Sequence, residues 1–141
     1  MANGAALTLS VRNAPRVSRE LRSFRNDVVA EIRALVGETA ARQHQRTYDL
    51  CPKDTYRMAN AIRVNFAPDG LSYEMGWYEG DFIGRGLAFY PLFQELGFRH
   101  AGSGRFIQNA SLRPAWREIQ PEFNRQLRAV IRRAANRRGG R

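Results

Sequence analysis

The period of the apolar residues changes twice along this chain, and that change limits the fold more than any other feature. Val17, Leu21, Phe24, Val28, Ile32 and Leu35 recur at three- and four-residue steps, the spacing that lines one face of a helix. From Ile62 the pattern alternates instead. Ile62, Val64 and Phe66 fall on one side, with Arg63 and Asn65 on the other. After Pro68-Asp69-Gly70, the residues Leu71, Tyr73, Met75 and Trp77 alternate with Ser72, Glu74 and Gly76. Two alternating runs joined by a Pro-Asp-Gly turn predict a β-hairpin with one apolar face. The helical period returns in Trp116, Ile119, Phe123, Leu127, Val130 and Ile131. Helix, sheet, helix predicts an α+β fold, a small antiparallel β-sheet packed by a long N-terminal helix and a C-terminal helix.

Boundary signals refine this outline. A short arm containing Thr, Leu and Val, Ala5 to Val11, precedes Asn13-Ala14-Pro15. The first helix should carry Arg19, Glu20, Arg22 and Arg33 off its apolar stripe, pass Gly37 and continue to about Tyr48, before Pro52 interrupts it. Asp54 or Thr55 is suited to cap a short helix through about Asn60, because their oxygens accept the orphan amide hydrogens of a first turn. Glu79 to Gly86 and Arg99 to Arg105 are glycine-rich and read as exposed loops. Between them Leu87 to Leu96 is an aromatic-rich strand or short helix, and Phe106-Ile107 a further short strand. A helix beginning at Ser111 or Leu112 accepts Pro114 in its first turn. With 141 residues, 43% of them hydrophobic, the chain is expected to form one domain. An N-terminal arm (1–14) and an Arg-rich C-terminal tail (132–141) should flank it.

Charge restricts the partners. The net charge is +10, 22 of the 23 basic residues are arginine, and positions 111–141 hold nine arginines against two acids. Such a segment implies an acidic partner surface, nucleic acid, or both. Arg125, Arg128, Arg132, Arg133, Arg137, Arg138 and Arg141 admit three readings: contacts to DNA phosphates in a lumen, docking on an acidic neighbour, or a solvated end after Ala135. The single Cys51 leaves no internal disulfide, and the isolated His44 and His100 do not make a zinc set, so neither metal nor cofactor is expected. The start of the chain lacks the pattern of a signal peptide and no run approaches the ~20 apolar residues of a membrane span. Synthesis and use in the cytoplasm, without a membrane, is the expectation. The best catalytic constellation, His100 with Ser103 and Glu95 or Asp81, lacks a nucleophile elbow and an orienting group. The local acids Glu74, Glu79 and Asp81 are the only cluster a metal nuclease would use. No catalytic residues are assigned, and the chain is not expected to be an enzyme.

Three phrases carry a family resemblance. Pro52, Asp54, Thr55, Arg57, Met58, Asn60 and Ile62 match a run that resembles the neck or tail-completion family of tailed bacteriophages, the group that includes minor tail protein Z; Tyr56 stands where the family has glycine and Ala61 where it has serine. Tyr90, Phe93, Glu95 and Gly97 match its second phrase, with Phe98 at a common threonine position. Leu112, Arg113, Pro114 and Ala115 match the third, while Ala110 and Ser111 replace Pro-Phe. The resemblance spans roughly Val28 to Ile131. It implies a structural virion protein, made in the host bacterial cytoplasm, that completes the tail and joins it to the head connector as a hexameric ring around the DNA channel. Its implied partners are further copies of itself, the adjoining neck and tail-tube proteins, and packaged DNA.

A ring contact is heterologous, and loops can reach a neighbouring copy without disturbing the core. Glu79 and Asp81 on one loop and Arg99 and Arg105 on the other offer opposite signs for such a contact. Asp54, Thr55, Arg57, Glu95, Gly97 and Arg113 complete the expected set of subunit or partner contacts, and Arg125, Arg128, Arg132, Arg133, Arg137 and Arg138 the expected DNA or lumen contacts. Solvated loop charges are the competing reading of the first set. A stand-alone basic nucleic-acid-binding protein is the alternative to the virion reading.

Overall fold

The computed structural model describes residues 6–11, 26–53, 56–83, 86 and 89–139. The elements in order are β1 (Ala6–Val11), α1 (Asn26–Leu50), α2 (Arg57–Asn60), β2 (Arg63–Phe66), β3 (Tyr73–Tyr78), a 3₁₀ turn (Glu79–Asp81), α3 (Tyr90–Leu96), β4 (Phe98–Arg99), β5 (Phe106–Ile107) and α4 (Leu112–Gly139). The fold is α+β, with the two long helices packed against a small antiparallel sheet.

The hairpin forms where alternation places it. Val64 pairs with Met75 and Phe66 with Tyr73 across β2 and β3. Its turn is closed by the amide of Gly70 bonding the carbonyl of Ala67 at 2.9 Å, with Gly70 at φ 72°. The alternation also selects what is buried: Tyr73, Met75 and Trp77 are each at most 2% exposed. The apolar side of β2 is less uniform, since Ile62 is buried while Phe66, at the end of the strand, is half exposed and leans on the Tyr73 ring. The N-terminal arm supplies a third strand. Its residues 6–11 pair antiparallel with β3, from Ala6 opposite Tyr78 to Val11 opposite Tyr73, so β3 is central in the order β1-β3-β2.

Helix α1 buries Val28, Ile32 and Leu35 of the expected stripe, and Arg33 lies on its exposed side. The first part of that stripe, Val17, Leu21 and Phe24, with Arg19, Glu20 and Arg22, lies outside the described residues. Toward its C-terminus the buried face becomes polar: Thr39, Gln43 and Thr47 follow at four-residue steps, each at most 4% exposed. Each finds a partner. Thr39 Oγ1 donates to the Leu35 carbonyl (2.7 Å), Gln43 Oε1 accepts from the Tyr73 hydroxyl (2.5 Å), and Thr47 Oγ1 donates to Met75 Sδ (3.9 Å). Burial pushes the Tyr73 phenol well above its ordinary pKa. The Gln43 Nε2 amide remains buried without a partner among the described residues.

Helix α4 buries Leu112, Ala115, Phe123, Val130 and Ala134, with Trp116, Ile119 and Leu127 half-buried beside them. Pro121 lies inside this helix on its exposed side. The segment expected as a tail from Arg132 instead continues the helix to Gly139. It does so against α1: Arg133 Nη2 lies 3.0 Å from Glu31 Oε2, and Arg137 Nη1 lies 3.1 Å from Asp27 Oδ2 and 3.7 Å from Glu31 Oε1. Further along the same pair of helices, Arg46 makes a two-pronged contact with Glu118, Nε to Oε2 at 2.6 Å and Nη2 to Oε1 at 3.0 Å. No helix of the described residues is long and apolar enough to cross a membrane.

Candidate functional site

The second and third phrases singled out in the sequence come together at the N-terminus of α4, and Cys51, the residue before the first phrase, reaches the same place. Glu95, in the last turn of α3, is 6% exposed, and its Oε1 accepts three hydrogen bonds: from the Ser111 amide (2.6 Å), the Ser111 hydroxyl (2.8 Å) and the Leu112 amide (2.9 Å). A carboxylate in this position supplies from another helix the cap that a helix start otherwise takes from its own side chain, and it complements the positive end of the dipole. The segment between β5 and α4 is bonded to α3 as well. Asn109 donates through its amide to the Gln94 carbonyl (3.1 Å) and through Nδ2 to Gln94 Oε1 (3.1 Å), while Gln108 Nε2 donates to the Glu95 carbonyl (2.8 Å).

Cys51, the residue before the first phrase, reaches this junction. Its Sγ lies 3.4 Å from Ser111 Oγ. Because the Ser111 hydroxyl already gives its proton to Glu95, the thiol is the donor, and the chain runs Cys51 to Ser111 to Glu95. Burial pushes the Cys51 thiol above its ordinary pKa, partly opposed by the bond to Ser111, so the protonated donor is the favoured form. Glu95 Oε2 is buried without a hydrogen-bond partner among the described residues.

Two backbone positions in the phrases have conformations suited to glycine. Gly97 follows α3 at φ 84°, ψ 160°, a region in which side-chain-bearing residues are strained, and a Cβ there would come within 2.2 Å of the Phe106 ring. Tyr56, which stands at the glycine position of the first phrase, has φ 55°, ψ 2°, the left-handed region. It is the only described residue other than glycine with a positive φ. Tyr56 is also the N-cap position of α2 and makes no side-chain cap bond, so the capping expected of Asp54 or Thr55 is not at the cap position; those two residues lie outside the described ones. The short helix is tied to the sheet through Trp77, whose Nε1 donates to the Met58 carbonyl at 2.8 Å.

The expected loop contacts separate. Glu79 to Asp81 form the 3₁₀ turn, and the following Phe82 is buried and packs edge-on against Phe89, so this stretch is anchored and not wholly exposed. Asp81 is engaged within the chain: Arg63 reaches it with two bonds, Nε to Oδ2 at 2.7 Å and Nη2 to Oδ1 at 2.5 Å, and stacks over Tyr78. Arg99 and Arg105 stand on the β4–β5 hairpin, exposed, with Arg99 Nη1 donating to the Gly104 carbonyl at 3.3 Å. Arg57 and Arg113 are exposed. His100 and Ser103 do meet, Nδ1 to Oγ at 3.3 Å, but His100 Nδ1 also faces the amides of Gly102 and Ser103, as in a closed hairpin turn. Glu95 and Asp81, the acids weighed with them, are held by Ser111 and Arg63. No three His, Cys, Asp or Glu side chains among the described residues are grouped to hold a metal.

Sequence reasoning missed an apolar surface beside the junction. Tyr90, Phe93 and Leu96, at three-residue steps on α3, are 43%, 45% and 54% exposed, and Phe106 on β5 is 59% exposed. The Phe93 and Phe98 rings meet edge to face at 6.4 Å. The three-residue spacing was the available signal, hidden because α3 is so short that a buried strand reads the same way.

The arginines of α4 fall into two groups. Arg133 and Arg137 face α1 and are paired there. Arg113, Arg117, Arg128 and Arg132 are exposed on the outer side, and Arg125 beside them pairs with Glu122. Arg138 is described only in its backbone, and Arg141 lies outside the described residues. Comparison with known protein families, with curated proteins and with solved structures finds no match to this chain.

Proposed function

We propose that this chain is a structural subunit of the neck of a tailed bacteriophage, one that completes the tail and joins it to the head connector, working as a hexameric ring and not as an enzyme. The observation that carries this reading is the meeting of the second and third phrases at one junction, where Glu95 holds the amide of Leu112. Phrases scattered by chance along a chain would have no reason to share a hydrogen bond, Leu112 to Glu95, or to place left-handed backbone at Tyr56, the position where the resembled family has glycine. The junction builds the domain. The contacts to other subunits then fall to the surface next to it, where Tyr90, Phe93, Leu96 and Phe106 leave an apolar patch flanked by Arg99 and Arg105. Large apolar side chains exposed together, with charges at the rim, are the composition of a protein contact.

Electron microscopy of lysates from a source phage or prophage lacking this gene tests the reading. Filled heads accompanied by separate or abnormal tails are expected. Intact, infectious virions would overturn it and promote the stand-alone nucleic-acid-binding alternative.

A further inference from the structure

We infer that the outer face of α4 is a binding surface for the phosphate backbone of duplex DNA, contacted by Arg113, Arg117, Arg128 and Arg132. The inference stands on the charge distribution of one helix and not on the neck reading.

Four observations lead to it. Helical spacing sets these four arginines, with Arg125, on a stripe roughly 120° wide and about 28 Å long, on the side away from the buried residues Phe123, Val130 and Ala134. No carboxylate among the described residues pairs with Arg113, Arg117, Arg128 or Arg132, whereas Arg46, Arg125, Arg133 and Arg137 are in ion pairs. The two acids of this helix are already used, Glu118 by Arg46 and Glu122 by Arg125. Finally, a shallow groove runs along the face, bordered among the described residues by Gln120, Pro121, Asn124, Ala129 and the arginines 125, 128 and 132.

The residues between the arginines decide the partner. An acidic protein would need an apolar centre to bind firmly, since exposed ion pairs alone contribute little. This face has none: among the described residues every large apolar side chain that is exposed lies off α4. It also has no aromatic platform, which a single strand would use for stacking. What remains is unpaired guanidinium along a straight rod, with Arg113 and Arg117, and again Arg128 and Arg132, one helical turn or ~6 Å apart. That arrangement suits a regular row of phosphates and carries no base readout.

The test is binding of the full chain to a short, fluorescently labelled duplex of mixed sequence, followed by anisotropy between about 50 mM and 200 mM salt. Four phosphate contacts give an expected slope of log K against log salt of about −3.6. Arg128→Gln with Arg132→Gln should reduce the slope by about 2, at unchanged far-ultraviolet circular dichroism. Arg133→Gln with Arg137→Gln removes the same formal charge from the paired side and should leave the slope unchanged. Equal losses from the two double variants would reduce the effect to net charge and overturn the assignment. So would absence of binding at the lowest salt, and so would displacement of the duplex by polyglutamate as effectively, charge for charge, as by unlabelled DNA, which would give the face to an acidic protein. Failure here leaves the neck reading standing, and intact virions without the gene leave the arginine face standing.

Discussion

Glu95 holds Ser111 twice, by its amide and by its hydroxyl, and through the same oxygen holds the amide of Leu112. One buried carboxylate therefore caps the 28-residue helix α4 from a neighbouring element. Glu95→Ala should cost about 2–4 kcal/mol, since it leaves buried donors unpaired and removes the cap. Glu95→Gln retains one acceptor oxygen and should cost about 1 kcal/mol. Urea unfolding measures both. Equal losses for Ala and Gln would mean that packing, not the hydrogen bonds, fixes this junction.

Gly97 is constrained by its backbone and by its neighbour. Gly97→Ala should lose about 1–3 kcal/mol from the positive φ alone, with a further loss from the approach to the Phe106 ring. In a Phe106→Ala background the second part should vanish and the first persist. If Gly97→Ala became neutral there, the backbone argument would be wrong.

Tyr56 occupies left-handed backbone at the N-cap of α2. Glycine would relieve about 1 kcal/mol of that strain and give back about 0.4–1 kcal/mol through the freer unfolded chain. Tyr56→Gly should therefore fold with stability within about 0.5 kcal/mol of the parent, or above it, while an ordinary exposed helix position would lose about 1 kcal/mol. A loss of that size at Tyr56 would show that its ring, half exposed, contributes more than the backbone costs.

The Arg46 guanidinium holds Glu118 below the usual carboxylate range, mainly through their hydrogen bond. A folded pKa below the unfolded one gives stability that is present above the ordinary value, about 4.3 for Glu, and lost as pH falls through the lowered folded value. The melting temperature of the parent should exceed that of Glu118→Gln near neutral pH, with the gap closing in acid and shrinking in high salt. A gap that stays constant with pH would remove Glu118 ionisation as its cause.

The periodicities in the sequence were enough for the hairpin, for the apolar faces of both long helices and for the α+β arrangement, because each rests on burial of alternating or stepped apolar residues, but not for the run of α4 past Arg132 to Gly139. Other features depend on pairing between distant parts of the chain. In the arm at 6–11 Leu7, Leu9 and Val11 alternate with Thr8 and Ser10, but the run is short and its partner strand begins at Tyr73, so its place in the sheet was not legible. Thr39, Gln43 and Thr47 look like a solvated helix face, yet Tyr73 and Met75 give two of them buried partners. The arginines of α4 were legible as a charge run but not as two faces, since the division depends on Asp27 and Glu31 standing opposite Arg133 and Arg137. Asp81 likewise belongs to Arg63, a partner on the adjoining strand that its loop position did not suggest. The motif residues could be located, but the role of Glu95 at the start of α4 required the chain to be folded.

The contact of Arg137 with Asp27, 110 positions apart, has a kinetic consequence. The β2–β3 hairpin closes over a few residues, whereas pairing of β1 with β3 and of α1 with α4 must first close loops many times longer, at an entropic cost that grows only slowly with length but delays the search. The hairpin is thus the natural nucleus, and the α1–α4 seam a late event. Weakening that seam should chiefly hasten unfolding, leaving the refolding rate almost unchanged.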